Sequence, residues 1–338
     1  MRDSNREWVF AERPDGEPDM DSFELRETDV PSPKHGELLV RVQYLSVDPY
    51  MRGRMRDAES YAEPWDVGDA MAGAVVGEVV ESESDAYDAG DLVTGNGTWA
   101  DYSVLDASEV APVDPSIADP AAYLGVLGMP GRTAYFGLLE VGEPKPGDTV
   151  VVSGAAGAVG SAVGQIAKFN GCRVVGFAGS DEKVEWLTDD LGFDAAINYK
   201  EVDDYRAALD DAAPGGVDVY FDNVGGPITD AVFTKLNLDA RVAVCGQIAH
   251  YNDEGVPTGP RKLPQLIAAR AKVEGLLVGD YATRFGEASE QLGEWVATGE
   301  LAHRETVVDG LENAPDAFLG LFSGDNIGKQ VVAVADAE

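Results

Sequence analysis

The sequence predicts an α/β protein in which a doubly wound parallel sheet is joined to a smaller, β-rich domain resembling a barrel. From residue 123 onward, strand-like and helix-like segments alternate, which is typical of a parallel sheet with helices on both faces. The first 122 residues instead contain short strand-like runs with frequent glycine, which is typical of a barrel. The length of 338 residues suits two domains better than one.

The β-rich domain is predicted to span residues 1–122 and to regain a segment from the end of the chain. Its predicted strands are 8–10, 23–26, 37–45, 72–80, 91–95 and 100–104, and residues 46–55 are predicted to form a turn. The segment 306–338 contains an apolar run at 327–334, which we expect to return to this domain as a further strand.

The second domain is predicted to span residues 123–305. Its predicted strands are 149–153, 173–178, 195–198, 217–223, 241–246 and 273–278. Its predicted helices are 130–139, 159–169, 181–191, 203–211, 227–236, 263–271 and 286–298. Strands that alternate with helices in this way predict a doubly wound parallel sheet of the Rossmann type.

A glycine- and alanine-rich turn joins the strand at 149–153 to the helix at 159–169. A dinucleotide pyrophosphate binds backbone N–H groups at a helix N-terminus, where the helix dipole favours anions. Gly157 would let the backbone approach the phosphates, and Gly160 would let the helix pack closely, while Ala155 replaces the first glycine of the usual G-x-G-x-x-G pattern. The candidate phosphate-binding residues are Ala155, Ala156, Gly157, Ala158, Val159 and Gly160. A tight turn without a ligand is the alternative.

The end of the next strand suggests which cofactor would bind. An Asp or Glu there would bind the ribose of NAD, but this chain has Gly179 and Ser180, which leave room for a 2′-phosphate. Lys183 provides a cation nearby. The acids Asp181 and Glu182 argue against a phosphate, although acids are also favoured in the first turn of a helix. We therefore expect NADP(H) as the cofactor.

Acidic residues dominate the composition. There are 61 Asp and Glu against 25 Lys and Arg, giving a formal net charge of −36, and the acids are spread along the whole chain. Such a charge repels nucleic acid and anionic membranes, so we expect neither as a partner. The pattern is typical of the solvated surface of a halophilic protein.

Metal binding and membrane insertion are not expected. The chain has only Cys172, Cys245 and three histidines, without close pairing, so no zinc site is predicted. Its first twelve residues are polar and charged, and no apolar run approaches the roughly 20 residues of a membrane span. We expect a soluble, cytoplasmic protein.

Several motifs resemble the zinc-independent medium-chain dehydrogenase/reductases, in the branch of the NADPH-dependent curcumin and prostaglandin (leukotriene) reductases. They are Leu-Ser-Val-Asp-Pro-Tyr-Met-Arg-Gly-Arg-Met at 45–55, the turn at 155–160, Phe-Asp-Asn-Val-Gly-Gly at 221–226, Cys-Gly-Gln-Ile at 245–248 with Tyr251-Asn252, and Gly328-Lys329. The resemblance covers nearly the whole chain and implies a GroES-like barrel beside the Rossmann domain.

The resemblance implies roles for further residues along the cofactor. Lys183 and Tyr199 would hold the 2′-phosphate, and Asn223 would approach the ribose on the nicotinamide side. The residues expected to flank or cap the nicotinamide are Cys245, Gly246, Gln247, Ile248, Tyr251, Leu276, Leu277, Val278 and Asn326.

The implied reaction is the NADPH-dependent reduction of the C=C bond of an apolar α,β-unsaturated ketone or aldehyde. Hydride addition places negative charge on the carbonyl oxygen, which needs hydrogen-bond donors, and the candidate donors are Tyr251, Tyr50 and Tyr61. Tyr50 as a core aromatic and Tyr61 as an ordinary surface residue are the structural alternatives. A quinone oxidoreductase and a non-catalytic NADPH-binding protein are the functional alternatives.

The sequence also suggests an assembly. The apolar run at 275–278 comes late in the predicted sheet order, so we expect it at an edge. Because an exposed edge strand is a liability unless it is covered, we expect a homodimer that pairs these edges.

Overall fold

The computed structural model describes residues 4–58 and 60–334. The chain divides into two compact units, the first formed by Met1–Leu124 with Glu305–Glu338 and the second by Gly125–Arg304. The first unit contains two separate segments because the strand Lys329–Ala333 pairs with the strand Glu37–Ser46 in antiparallel register. The C-terminal strand therefore belongs to the first unit.

The first unit is β-rich. A two-stranded antiparallel sheet consists of β1 (Asn5–Phe10) and β2 (Phe23–Thr28). A seven-stranded sheet consists of β3 (Glu37–Ser46), β4 (Ala72–Ser82), β5 (Leu92–Thr98), β6 (Tyr102–Asp106), β7 (Ala111–Pro112), β14 (Glu305–Asp309) and β15 (Lys329–Ala333). Its strand order is β14-β15-β3-β4-β5-β7, and β6 also pairs with β3. Among its described residues, two segments form α-helices, α1 (Met51–Arg54) and α9 (Ala314–Ser323).

Aromatic side chains lie at the centre of the core of this unit. Phe318 of α9 is fully buried and makes edge contacts with Phe23 and Trp99. The helix α9 therefore packs its apolar face against the strands, and this burial explains why the C-terminal segment stays with the first unit.

The segment predicted as a turn at 46–55 contains a helical turn. Residues Met51–Arg54 form α1, and the side chains of Met51 and Met55 are both fully buried. Residues four positions apart lie on the same face of a helix, so burial of both methionines selects the helical conformation. The sequence prediction of a simple turn was wrong because this burial depends on the tertiary fold.

The second unit contains a six-stranded parallel sheet. Its strands are β8 (Thr149–Val152), β9 (Arg173–Ala178), β10 (Ala195–Asn198), β11 (Val217–Asp222), β12 (Leu236–Val244) and β13 (Lys272–Gly275). The strand order is β10-β9-β8-β11-β12-β13 and every pair is parallel, which confirms the predicted doubly wound sheet. The order reverses between β8 and β11, where ligands bind in such sheets.

Helices connect the strands of this sheet. They are α2 (Met129–Phe136), α3 (Ala158–Phe169), α4 (Asp181–Glu185), α5 (Tyr205–Ala212), α6 (Gly226–Val232), α7 (Leu263–Ala269) and α8 (Phe285–Ala297). A π-helical turn continues α2 over Gly137–Gly142, and another continues α4 over Trp186–Asp190. The predicted helix 227–236 is too long, because β12 begins at Leu236, where it pairs with Val217 of β11.

The predicted strand at 273–278 needs a larger correction. The strand β13 ends at Gly275, so Leu276, Leu277 and Val278 do not form an edge strand. The Leu276 N–H still donates to the carbonyl of Val244, but β12 ends there and offers no further partner. A 3₁₀ turn then begins at Val278, so the edge of the sheet is formed by Lys272–Gly275 and not by the apolar run.

The described residues contain neither a candidate membrane span nor a candidate metal site. Within 4–58 and 60–334, no helix is long and apolar enough to span a bilayer. Over the same residues, no group of three or more His, Cys, Asp or Glu side chains is arranged to hold a metal ion.

Candidate active site

The glycine turn between β8 and α3 is shaped by close backbone packing. Gly154 has a φ of +59°, in the left-handed region that favours glycine. A methyl group on Gly160 would lie 2.4 Å from the Gly154 carbonyl oxygen and 2.8 Å from the Ala155 Cα. Gly157 precedes the first helical residue, so the turn delivers the chain directly to the N-terminus of α3.

Ala155 contributes to this turn by packing. It is fully buried, and its N–H donates to the Phe177 carbonyl of β9. Its methyl group fits because the neighbouring residue is Gly176, where a side chain would come within 2.8 Å of the Ala155 Cβ. The glycine at position 176 on the neighbouring strand β9 therefore provides the space for the alanine that replaces the usual first glycine. Ala156 is also buried, whereas Gly157, Ala158 and Val159 are half-buried.

The first turn of α3 offers donors for an anion. The opening N–H groups of an α-helix have no partner within the helix, and here they belong to Ala158, Val159 and Gly160. Because α3 has 12 residues, its dipole adds a favourable field for negative charge at this end. The residues present fit a pyrophosphate group.

The residues predicted at the 2′-phosphate end come together at the end of β9. The Tyr199 hydroxyl lies so close to Gly179 that a methyl group there would be 2.6 Å away from it. Ser180 precedes α4, and its hydroxyl accepts a hydrogen bond from the Lys183 N–H at 3.3 Å. The Lys183 side chain is buried, with 9% of its surface exposed. Burial raises the pKa of Tyr199 above 10.0.

The two acids beside this end have other partners. The Asp181 carboxylate accepts a hydrogen bond from the Asn198 side-chain amide at 2.7 Å, and Glu182 lies 3.4 Å from the Arg304 guanidinium. Both residues occupy the first turn of α4, as the sequence analysis allows. Their contacts fit a structural role at a helix start.

Asn223 lies at the carboxyl end of β11, beside the end of β8. Its N–H donates to the Ser153 hydroxyl at 2.9 Å, and its side-chain amide donates to the Ser153 carbonyl at 2.8 Å. The preceding residue, Asp222, is 1% exposed and accepts from the same Ser153 hydroxyl at 2.9 Å. Asn223 is therefore fixed in place by its neighbours.

The loop after β12 folds back on itself. The Gln247 N–H donates to the Tyr251 hydroxyl at 3.3 Å, and that hydroxyl also lies close to Gly246. Burial raises the pKa of Tyr251 above 10.0 and raises the pKa of the Cys245 thiol to about 12. Ile248 begins the short helical turn that brings Tyr251 back toward the strand end.

The predicted nicotinamide-flanking run after β13 is only partly buried. The Leu276 side chain packs against Gly137, where an added methyl group would lie 2.3 Å from it. Leu277 is 41% exposed. The three residues thus leave the sheet as a loop, with Leu276 directed into the unit.

The remaining candidates belong to the first unit. Tyr50 immediately precedes α1 and packs against the core, and burial together with the Asp48 charge raises its pKa well above 10.0. Tyr61 is 66% exposed. The Asn326 amide donates to the Gly328 carbonyl at 2.8 Å, which holds the turn before β15.

A buried ion pair near Tyr50 was missed by the sequence analysis. The Lys329 ammonium lies 3.1 Å from the Asp48 carboxylate and donates to the carbonyls of Val47 and Gln330. Burial lowers the pKa of Lys329 despite this partner. A lysine inside an apolar strand run was the available signal, because a buried charge requires a partner.

Comparison with known proteins identifies the family. A profile described as the N-terminal domain of oxidoreductases matches residues 6–113, and one described as zinc-binding dehydrogenase matches residues 158–295. The chain is 46% identical over 340 residues to the NADPH-dependent curcumin reductase of Escherichia coli (strain K12), covering 99% of this chain and 98% of that protein. It is 46% identical over 301 residues to the NADP⁺-dependent 2-alkenal reductase of Nicotiana tabacum, covering 88% of each.

A solved structure agrees over the same length. The crystal structure of CurA from Vibrio vulnificus in complex with NADPH matches with a TM-score of 0.92 and 46% identity, covering 98% of this chain and 99% of that one. The domain order, the sheet topology and these relatives together show that the chain belongs to the NADP-dependent medium-chain dehydrogenase/reductases, in the branch of the curcumin reductases.

Proposed function

We propose that this protein reduces the C=C bond of an α,β-unsaturated ketone or aldehyde with NADPH. The observation that carries the proposal is the extended similarity to a curcumin reductase and a 2-alkenal reductase, over nearly the whole chain. The Rossmann sheet, with its glycine turn and neutral 2′-phosphate end, supports NADPH as the reductant.

We place the cofactor-binding site along the carboxyl ends of the strands of the parallel sheet. The first turn of α3 would hold the pyrophosphate, and Lys183 with Tyr199 would hold the 2′-phosphate. The nicotinamide half belongs to the second half of the sheet, with Asn223 and the loop 245–251. The roles of Leu276, Leu277, Val278 and Asn326 in flanking or capping the nicotinamide belong to the same proposal.

When bound, NADPH supplies the hydride that adds to the substrate β-carbon. As negative charge grows on the carbonyl oxygen, a hydrogen-bond donor must stabilise it. We assign this role to Tyr251, whose hydroxyl accepts a hydrogen bond from Gln247 through an oxygen lone pair and keeps its proton. The α-carbon takes a proton from water or from a tyrosine, so that a hydride and a proton add across the C=C bond.

Two other tyrosines are alternatives for this donor. Tyr50 is half-buried beside Asp48, and Tyr61 is largely exposed. Tyr251 is preferred because its loop follows β12, at the edge of the sheet where Rossmann ligands bind.

We propose that the reaction needs no metal. The zinc enzymes of the superfamily that this chain resembles use Cys and His ligands in the first domain. In this chain, residues 1–122 contain one histidine, His35, and no cysteine. The tyrosine donor then takes over the polarisation of the carbonyl that a zinc ion would otherwise provide.

The test is an NADPH oxidation assay in molar KCl with an enone and a quinone compared side by side, each with and without EDTA. We expect turnover of the enone that exceeds that of the quinone and survives chelation. Preference for the quinone would reject the C=C assignment, and loss of activity that zinc restores would reject the metal-free mechanism. NADPH binding without turnover over a broad enone panel would indicate a binding protein.

A further inference from the structure

Asp222, at the carboxyl end of β11, is a buried carboxylate with an unusual number of donors. It is 1% exposed. Its Oδ1 atom accepts from the Ser153 and Tyr220 hydroxyls, both at 2.9 Å, and from the backbone N–H groups of Val224 and Gly225. Its Oδ2 atom accepts two more hydrogen bonds, which makes six neutral donors in total. These hydrogen bonds offset the cost of burying the carboxylate.

The two donors on Oδ2 come from different elements. One is the Thr229 hydroxyl of α6, at 2.7 Å, and the other is the Gln247 side-chain amide, at 3.0 Å. The backbone carbonyl of Asp222 also accepts from the N–H groups of Cys245 and Gly246, at 2.8 Å and 3.0 Å. One residue therefore ties together the ends of β8, β11 and β12 and the start of α6.

These bonds lead directly to the residues assigned to the nicotinamide half. The Ser153 hydroxyl that donates to Asp222 accepts from the Asn223 N–H. The Gln247 whose side chain donates to Asp222 uses its backbone N–H to hold the Tyr251 hydroxyl. Asp222 is therefore hydrogen-bonded directly to Ser153 and Gln247, the two residues that hold Asn223 and Tyr251.

We propose that Asp222 is a positioning residue that holds Asn223 and the loop 245–251 in the geometry that binds the nicotinamide half of NADPH. The proposal rests on the assignment of that half to the second half of the sheet, made under the proposed function. Asp222 itself does not touch substrate or cofactor in this scheme, and it acts through Ser153 and Gln247.

The chemistry of the carboxylate defines the decisive substitution. In Asp222→Asn the side chain keeps one acceptor oxygen but gains an NH₂ group, which cannot accept a hydrogen bond. If the oxygen stays on the side with four donors, the NH₂ group faces the Gln247 amide, and two donors then oppose each other. Reversing the Gln247 amide would bring its oxygen against the Gly246 carbonyl, which its nitrogen now contacts at 2.9 Å.

A matched control lies on the same strand. Asp218 is also on β11, but at the amino end, where it accepts from the Thr149 N–H and from the Asn237 side-chain amide. Asp218→Asn makes the same chemical change at the opposite end of the sheet. It reports the cost of converting an aspartate of this strand to asparagine without altering the cofactor end.

The experiment compares two ligands by calorimetry, using the full-length protein in molar KCl. NADPH contains both halves of the cofactor, whereas adenosine 2′,5′-bisphosphate contains only the adenine half with its 2′-phosphate. We expect Asp222→Asn to weaken NADPH binding about tenfold or more, on the scale of a lost hydrogen bond to a charged group, and to leave adenosine 2′,5′-bisphosphate binding within about twofold. Asp218→Asn should leave both affinities unchanged.

A second measurement separates positioning from general damage. Asp222→Asn should lower kcat on an enone in the wild-type background, and should add little in a Tyr251→Phe background, because both changes act through the same hydroxyl. If Asp222→Asn does not fold, Ser153→Ala, which removes the link to Asn223, should give the same selective loss of NADPH affinity.

The outcomes distinguish this inference from the proposed function. Wild-type NADPH affinity in Asp222→Asn, or an equal loss of both ligands, would overturn the positioning role. A wild-type protein that binds NADPH but reduces no enone would contradict the proposed function, while the comparison of the two ligands would still decide the role of Asp222.

Discussion

At the scale of single residues, we propose that Lys183 distinguishes NADPH from NADH. Its side chain is buried at the start of α4, next to the Gly179–Ser180 corner where an acid would otherwise bind a ribose. An ammonium group at this corner would form a charge-assisted hydrogen bond with a 2′-phosphate, a group that NADPH has and NADH lacks.

Lys183→Ala is expected to weaken NADPH binding by about 1.5–3 kcal/mol, the range for a hydrogen bond to a charged group, and to leave NADH binding nearly unchanged. The measurement is calorimetric titration of both cofactors. Lys168→Ala is the control, since Lys168 pairs with Asp194 at 2.8 Å in the last turn of α3. An equal loss for NADPH and NADH would show that Lys183 does not contact the phosphate.

Tyr251 is the second residue whose role can be isolated. Tyr251→Phe should lower kcat by about 10²–10³, on the scale of a lost oxyanion donor, with little change in NADPH affinity. Because burial raises the pKa of this tyrosine above its usual value, the hydroxyl keeps its proton at neutral and mildly alkaline pH, and kcat should stay level as pH rises from about 7 to 9.

The same assay contains its own controls. Tyr50→Phe and Tyr61→Phe should retain most of the wild-type kcat. If Tyr50→Phe or Tyr61→Phe lost most of its kcat while Tyr251→Phe kept the wild-type value, that other tyrosine would be the donor. Wild-type kcat in all three variants would show that no tyrosine is the donor. A fall in wild-type kcat well below pH 10 would also contradict Tyr251 as the donor.

At the scale of elements, the turn between β8 and α3 depends on how closely two pieces of backbone approach. The obstacle that a side chain on Gly160 would meet is main chain, the Gly154 carbonyl and the Ala155 Cα, which no change of rotamer can move aside. The same helix carries Gly164, where the obstacle is the ring of Phe193. The helix is therefore pressed against its surroundings along this face.

Gly160→Ala should destabilise the protein by about 1–3 kcal/mol, the usual cost of overpacking, although alanine is intrinsically the better helix former. Gly293→Ala in α8 is the matched control, because nothing lies within 4 Å of the added methyl group there. That change should stabilise the protein by up to about 1 kcal/mol. Denaturant unfolding monitored by circular dichroism compares the two, and a neutral Gly160→Ala would contradict the close packing.

Elements with strong local signals could be predicted from the sequence. The strands β9 and β10 were predicted to the residue, because each has a short apolar centre with a charged residue at or just before its start and Gly179 or Asn198 at its end. The end of β13 could not be predicted, since it depends on where the neighbouring β12 stops. The helical turn at Met51–Arg54 and the pair of Asp48 with Lys329 depend on burial against distant parts of the chain.

The candidate site shows the same division. The glycine turn and the Gly179–Ser180 corner follow from local sequence, and the chain also places Tyr199 against Gly179. Asp222 was part of a motif, but its role depends on partners from three strand ends and a helix, which no linear spacing reveals. Whether the predicted residues bind the cofactor stays a prediction for the measurements above.

At the scale of the whole molecule, we propose a homodimer formed through the outer edge of the parallel sheet. The edge strand is β13, in which Lys272 and Glu274 form an ion pair. The apolar run that the sequence analysis expected at this edge is therefore not the basis of this proposal. The apolar surface nearby is instead carried by α7, where Leu263 is 68% and Ile267 is 81% exposed. These two residues are four positions apart and share one face of the helix.

Light scattering in high salt should give twice the chain mass of 35.8 kDa. Ile267→Glu should shift the protein toward monomer, because it would bury a charge in the proposed interface. Val67→Glu is the control, as it adds the same charge at an apolar side chain of the first unit that is 58% exposed. A monomer mass for the wild type would reject the assembly.

The net charge of −36 suggests how the molecule depends on salt. Like charges spread over a compact surface repel one another and destabilise the folded state, and this repulsion is screened as ionic strength rises. At 1 M salt the Debye length is about 3 Å, so only charges in close contact still interact. We propose that the protein is adapted to concentrated salt.

Tm should therefore rise steeply between about 0.1 M and 1 M KCl and then level off, as the Debye length falls from about 10 Å to about 3 Å. Levelling off separates screening from the general stabilisation of burial by salts that are excluded from protein surfaces, which continues to grow with concentration. A variant with fewer surface charges provides the control, with Asn or Gln replacing the exposed acids Asp190, Glu254, Glu290 and Glu300. Because it has less repulsion to screen, it should show a smaller rise in Tm over the same range of KCl. A Tm that falls or stays constant with KCl, or a rise of equal size in both proteins, would show that the acidic surface does not set the salt dependence.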